Sequence, residues 1–205
     1  MPVYQGNPQF HTSSATAVWG AISAGSFALE ASTDAAFAGA VLSSATPDGG
    51  SVAATVAGLA PNTTYFLRAG SLNWSGVPNY GVSYEGSTFA VEPGSAAVYA
   101  AVSSVAVTVE WLPNGNSDAT RYALQVSTDE FLTLAASSVA VPGAGPYQLA
   151  FGGLSPNTPY WFRAASLGNN ADQSAWLLLG STMTLPVPPT LTGYTLWPSS
   201  AVIAW

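Results

Sequence analysis

Short runs of alternating apolar and polar residues recur along the whole chain, each bounded by clusters of Gly, Pro, Asn and Asp. Ala15, Ala17 and Trp19 fall on one side of such a run, and Val107, Val109 and Trp111 on one side of another. Tyr65, Leu67 and Ala69 form a third stripe, and Tyr160, Phe162 and Ala164 a fourth. Alternation of this kind puts every second side chain on one face of an extended strand, whereas an amphipathic helix repeats its apolar positions roughly every three to four residues. The pattern predicts an all-β chain of short, half-buried strands joined by tight turns.

The pattern also repeats at a longer period. "GLAPNTTYFLRAGSL", beginning at Gly58, returns about 95 residues later as "GLSPNTPYWFRAASL", beginning at Gly153. "FALEASTDAAF" from Phe27 corresponds to "YALQVSTDEF" from Tyr122, and "GSTFA" from Gly86 to "GSTMT" from Gly180. "SSATAVW" ends at Trp19, "SVAVTVEW" at Trp111 and "SSAVIAW" at Trp205, so Trp205 marks a third copy. The chain therefore divides into a first repeat over 1–91, a second over 92–186, and a partial third over 187–205 with material for two strands. Units of this length with many short strands are the size of a two-sheet sandwich. The joints are "VEPGS" at 91–95 and "LPVPPT" at 185–190, whose prolines favour extended, semi-rigid connections.

The repeats resemble fibronectin type III domains, of the kind found in tandem in bacterial extracellular and surface repeat proteins. The family's B-strand tryptophan is matched by Trp19 and Trp111. Its tyrosine corner, Leu-x-Pro-x-x-x-Tyr, is matched by Leu59, Pro61 and Tyr65 and again by Leu154, Pro156 and Tyr160. The resemblance covers nearly the whole chain and implies tandem immunoglobulin-like β-sandwiches. It implies a core built on Trp19, Trp111, Trp205, Leu59, Tyr65, Leu154 and Tyr160, each corner tyrosine filling the core edge while its hydroxyl satisfies a backbone group upstream. It also implies a buried Phe after each Ser-Thr-Asp turn. A fold of this kind carries little information about function.

Composition narrows the function classes. Charged residues make up 6% of the chain, and the formal charge is −7 with Arg68, Arg121 and Arg163 as the only cations. Typical soluble domains carry about 25% charged residues. So acidic a surface repels a phosphate backbone, which excludes nucleic acid as a partner. No apolar run approaches the roughly 18–20 residues of a membrane-spanning helix. The first ten residues, "MPVYQGNPQF", lack the basic and apolar regions of a signal peptide, so an exported protein would here be a mature form or a window of a longer chain. The chain has no cysteine, which excludes disulfides and thiolate metal sites.

Candidate chemistry is sparse. His11 is the only histidine, and its counterparts in the later copies are Ser103 and Trp197, so neither a triad nor a histidine metal site can be assembled. Glu30, Asp34, Asp129 and Glu130 lie near loops and are the acids to weigh as a hydrolytic pair. Asp34 and Asp129 repeat, and accepting backbone hydrogen bonds in a turn explains them better than calcium binding. "NTT" at Asn62 and "NWS" at Asn73 have the form of glycosylation acceptors, but Asn157 keeps the asparagine while the motif breaks to "NTP", which points to turn geometry. No cofactor is expected, and no catalysis.

The remaining signal is the outer surface. If Tyr160 and Phe162 point inward, Trp161 points outward, as does Phe66 in the first copy, and "AWLLLG" at 175–180 is apolar on both faces. Exposed apolar surface marks contacts, unless Arg68 and Arg163 lie across these rings. Phe66, Trp161, Leu177, Leu178 and Leu179 are therefore the candidate assembly surface. Tyr194, Leu196, Ile203 and Trp205 form the candidate strand-pairing segment, to be covered by further repeats of the same chain or by strand donation to another copy. The expectation is a non-catalytic extracellular or cell-surface structural protein, bacterial by resemblance, packing with itself into a filament, sheath or layer. The competing expectation is an adhesin stalk or a glycan-binding spacer, with Trp74, Trp161 and Phe66 free to stack on sugars.

Overall fold

The computed structural model describes residues 1–141, 143 and 147–205, and among them there is no helix. The first unit pairs β1 (Gln9–Phe10), β2 (Ser14–Val18) and β5 (Ala53–Ala57) in one antiparallel sheet. Its second sheet runs β4 (Val41–Ala45), β3 (Ser26–Ser32) and β6 (Thr64–Leu72), edged by β7 (Pro78–Tyr80) and β8 (Tyr84–Ser87), both of which pair with β6. The second unit repeats the plan. β13 (Gln148–Gly152), β10 (Ala106–Leu112) and β9 (Gly94–Val102) face β12 (Ala136–Ala140), β11 (Arg121–Ser127), β14 (Pro159–Leu167) and β15 (Leu177–Met183).

Each unit has its own core, made by the inward halves of the alternating stripes. Ala15, Ala17, Trp19, Phe27, Leu29, Val56, Leu67 and Ala69 fill the first, and Val107, Val109, Trp111, Tyr122, Leu124, Val126, Phe151 and Phe162 the second. Trp19 packs on Phe27 with ring centroids 5.2 Å apart, and Trp111 on Tyr122 at 5.3 Å, both tilted, so the two cores share one aromatic pair. The indole N–H of Trp19 donates to the Ser51 carbonyl at 3.2 Å.

The two corners are also equivalent. The Ala60 N–H donates to the Tyr65 hydroxyl at 3.0 Å, and the Ser155 N–H to that of Tyr160 at 2.9 Å. Asn62 and Asn157 sit between the corner proline and tyrosine in the left-handed region, with φ of 47° and 49°. Asn adopts this conformation at lower cost than other non-glycine residues, which accounts for its repetition. Thr88 and Thr184 brace the corners by donating to the Ala60 and Ser155 carbonyls at 2.7 and 2.6 Å.

The third segment departs from the expected core. β16 (Gly193–Trp197) and β17 (Ser200–Ala204) form a two-stranded hairpin, which pairs with no other strand among the described residues. Trp205 is 76% exposed, whereas its matches Trp19 and Trp111 are buried. Those tryptophans are buried by the strands that follow them in their units, and among the described residues no such strands pack on this hairpin.

Tyr122, buried, and Tyr4, half-buried, set an alkaline limit. Burial pushes the hydroxyls of Tyr4 and Tyr122 up to about 12, against about 10 in an unfolded chain. Their contribution to stability is therefore complete below pH of about 10 and lost as the pH rises through about 12. Thermal midpoints followed together with tyrosinate absorbance should stay level through neutral pH and fall over that window. A midpoint that holds constant to the top of the window contradicts their burial.

Candidate assembly surfaces and the joint between units

The outward aromatics are held rather than free. Phe66 and Trp161 are half-buried, each on the central strand of its sheet: Phe66 lies opposite Ser32 and Glu85, and Trp161 opposite Ser127 and Ser181. The three leucines of β15 differ from one another. Leu179 packs against the second core and Leu177 is half-buried, whereas Leu178 is 66% exposed. The expected two-sided apolar strand is thus one-sided at Leu179, because a register shift beside Phe162 and Arg163 and a left-handed Gly180, at φ 101°, re-aim the strand.

Beside each outward aromatic lies an arrangement that the alternation pattern did not suggest. Arg68 is sandwiched between Phe37 and Tyr80, its guanidinium carbon 4.0 and 3.8 Å from the two ring centroids. Its Nε and one terminal nitrogen each lie 2.8 Å from Glu30 Oε2, and the Tyr80 hydroxyl donates to Glu30 Oε1 at 2.6 Å. In the second unit Arg163 lies between Phe131 and Trp176 at 4.2 and 4.5 Å and donates to Gln125 Oε1 at 2.8 and 2.6 Å. The guanidinium plane suits such a stack because it is weakly hydrated and attracted to ring faces. Phe37 and Phe131, expected in the core, are instead half-buried over the arginines at φ of 54° and 70°.

These contacts also account for the acids. Glu30 is committed to Arg68 and Tyr80. Asp34 accepts from the Ala36 and Ala38 N–H groups at 2.9 and 3.1 Å. Asp129 accepts from the Ser127 hydroxyl, the Thr133 hydroxyl and the Thr133 N–H, and these bonds, led by Ser127, hold its carboxyl down to about 2. Among the described residues no group of three metal-ligating side chains comes together. His11 is exposed between β1 and β2.

The joint between units is built on Asn62. Its side chain is fully buried. Nδ2 donates to Thr120 Oγ1 at 2.8 Å and to the Leu167 carbonyl at 3.2 Å, while Oδ1 accepts from the Asn169 N–H at 2.7 Å. The Asn62 carbonyl accepts from the Ser117 hydroxyl and Asn169 Nδ2, both at 3.0 Å. This leaves no room for a glycan. The linker is pinned alongside, for Asn116 accepts from the Val91 N–H at 3.0 Å and donates back to the Val91 carbonyl at 2.9 Å. Asn157, in the same conformation one unit later, is exposed.

Three open clefts lie near aromatic side chains, one of them, of about 400 Å³, beside Trp176 and Gln125. One of about 400 Å³ sits at the end of the first unit, lined by Ser23, Gly25, Leu72 and Trp74, with Trp74 93% exposed. Another, of about 410 Å³, is lined by Asp129, Glu130, Leu132 and Trp161. No helix among the described residues is long and apolar enough to cross a membrane.

No protein-family model matches the sequence, and no curated protein matches it. Solved structures do. A two-domain fibronectin type III segment of chicken tenascin superposes with a TM-score of 0.59 at 15% identity, over 90% of this chain and 98% of that one. The FN1–FN3 domains of chicken CNTN1 align with a TM-score of 0.40 at 13% identity, over 90% of this chain and 66% of that one. With two cores, two tyrosine corners and the strand order described above, the chain has the fold of fibronectin type III sandwiches in tandem.

Proposed function

We propose that this is a non-catalytic structural repeat protein of the cell surface or extracellular space, which packs against copies of itself into a filament, sheath or layer. The observation that carries this reading is the β16–β17 hairpin. Tyr194, Leu196, Trp197, Val202, Ile203 and Trp205 are all more than half exposed on it, from 54% for Trp197 to 76% for Trp205. Apolar surface of this density marks a contact, with other copies of the chain or with further repeats of it. Leu178 adds a second apolar point on the outer edge of the second unit, and few charges oppose close approach. Replacing both Trp161 and Leu178 with Lys should shrink the assembled particle, read by light scattering, while near-ultraviolet circular dichroism remains that of the parent. A particle size unmoved by the two lysines removes this face from the assembly.

A glycan-binding spacer is the second reading, supported by Trp74, whose ring is almost wholly free at the mouth of a cleft. A monomeric chain whose Trp fluorescence shifts on adding oligosaccharides would favour it over assembly.

A further inference from the structure

One position of the repeat is closed in the first unit and open in the second. In the first unit the Tyr80 ring presses on Gly70, where a Cβ would stand 2.8 Å from Tyr80 Cδ1. The Tyr80 hydroxyl donates to Glu30 Oε1 while Glu30 Oε2 takes Arg68, so both carboxylate oxygens are used, and the neighbouring Ala28 is buried. In the second unit the three residues differ. Ala165 stands at the position of Gly70, Gln125 at that of Glu30, and Trp176 lies over Arg163 as Tyr80 lies over Arg68. The Ala165 methyl fills the space that the Tyr80 ring uses, and Trp176 is further from its guanidinium carbon, at 4.5 against 3.8 Å. Its indole has no hydroxyl with which to reach Gln125. Ala123, the counterpart of Ala28, is only half-buried, and it floors the open cleft of about 400 Å³ beside Trp176.

The lining of this cleft suits a neutral, hydroxyl-rich ligand with one flat apolar face. Gln125 Oε1 accepts both bonds from Arg163, at 2.8 and 2.6 Å, which leaves the two Nε2 hydrogens without a partner among the described residues. The Ser137 hydroxyl, opposite Gln125 on β12, and the side-chain amide of Gln173, whose backbone bridges to Leu167, are also free of partners among those residues. Val139 and the Trp176 ring add apolar wall, and among the described residues no charged side chain lines the cleft. Its volume falls within the roughly 300–1,000 Å³ of small-molecule sites, which pair apolar walls with a few placed polar groups. We propose that the cleft binds a neutral glycan with equatorial hydroxyls. One sugar ring lays its C–H face on Trp176, Gln125 Nε2 donates to a hydroxyl of that ring, and Ser137 and Gln173 bond the hydroxyls on either side. An acidic glycan is disfavoured, because Arg163 is engaged by Gln125 and two rings while the formal charge of −7 opposes an anion. The site is separate from the Trp74 cleft and does not depend on self-assembly.

The test titrates the 205-residue chain with cellohexaose, xylohexaose and chitohexaose, read by calorimetry and tryptophan fluorescence. At least one of them should bind saturably. Combining Gln125→Glu, Ala165→Gly and Trp176→Tyr installs residues that the first unit already accommodates, and should weaken that binding by about ten-fold with the thermal midpoint near that of the parent. Gln173→Ala, at an exposed position, should weaken it by about two- to ten-fold and decides the matter if the triple variant loses its fold. Trp74→Ala should bind as the parent does. Binding of none of the three sugars overturns the proposal, as does parental affinity in Gln173→Ala together with a folded triple variant that also binds as the parent. Binding lost only in Trp74→Ala overturns this site and leaves the glycan reading at the first-unit cleft standing.

Discussion

Trp19→Ala and Trp111→Ala should each destabilise their own sandwich by about 3–5 kcal/mol, the usual cost of deleting a fully buried Trp. Both indoles are at most 1% exposed and stack on the first aromatic of the following strand, so neighbours on two sheets lose contact at once. A loss of this size is comparable to the whole stability of a small domain. In chemical denaturation, one transition should move to much lower denaturant while the other stays near its parental midpoint, less whatever the joint supplies. A variant that melts like the parent contradicts the equivalence of the two cores.

The second large effect is at the joint. Asn62→Ala removes three side-chain hydrogen bonds and leaves the Asn169 N–H without its partner, at about 1–3 kcal/mol for an unsatisfied group, while Thr120 keeps only the Ser117 hydroxyl at 3.3 Å. Alanine in the left-handed region adds about 1 kcal/mol more. The two sandwiches should then tumble separately, with faster rotational relaxation and easier proteolysis near Val91. Asn157→Ala in dilute solution bears only the backbone cost, because its side chain is exposed. Subtracting one from the other isolates the joint from the turn; equal effects would mean that Asn62 acts through its backbone alone.

How much of this is readable beforehand depends on whether a residue's role is local. Strand stripes and tyrosine corners are local: alternation fixes which side chains face inward, and the Leu-x-Pro-x-x-x-Tyr spacing fixes the turn. The left-handed asparagine follows from the same spacing. The joint does not, because Asn62 and Asn157 have nearly the same neighbours in sequence and differ only in what stands opposite them. The arginine sandwiches were hidden for a related reason. Phe37 and Phe131 look like core residues, and only the left-handed turn preceding β4 and β12 carries them outward over Arg68 and Arg163. A signal existed, since two of the three cations occupy one repeat position, beside Glu30 in one unit and Gln125 in the other. Trp205 misleads in the opposite direction: its stripe is that of a core strand, but burial depends on strands beyond its own hairpin.

The most direct test of self-assembly is sedimentation velocity of the unmodified 205-residue chain over a wide concentration range at physiological salt. Packing through the hairpin and Leu178 predicts species well above 20.9 kDa that grow with concentration. A single species at 20.9 kDa across the whole range would contradict it.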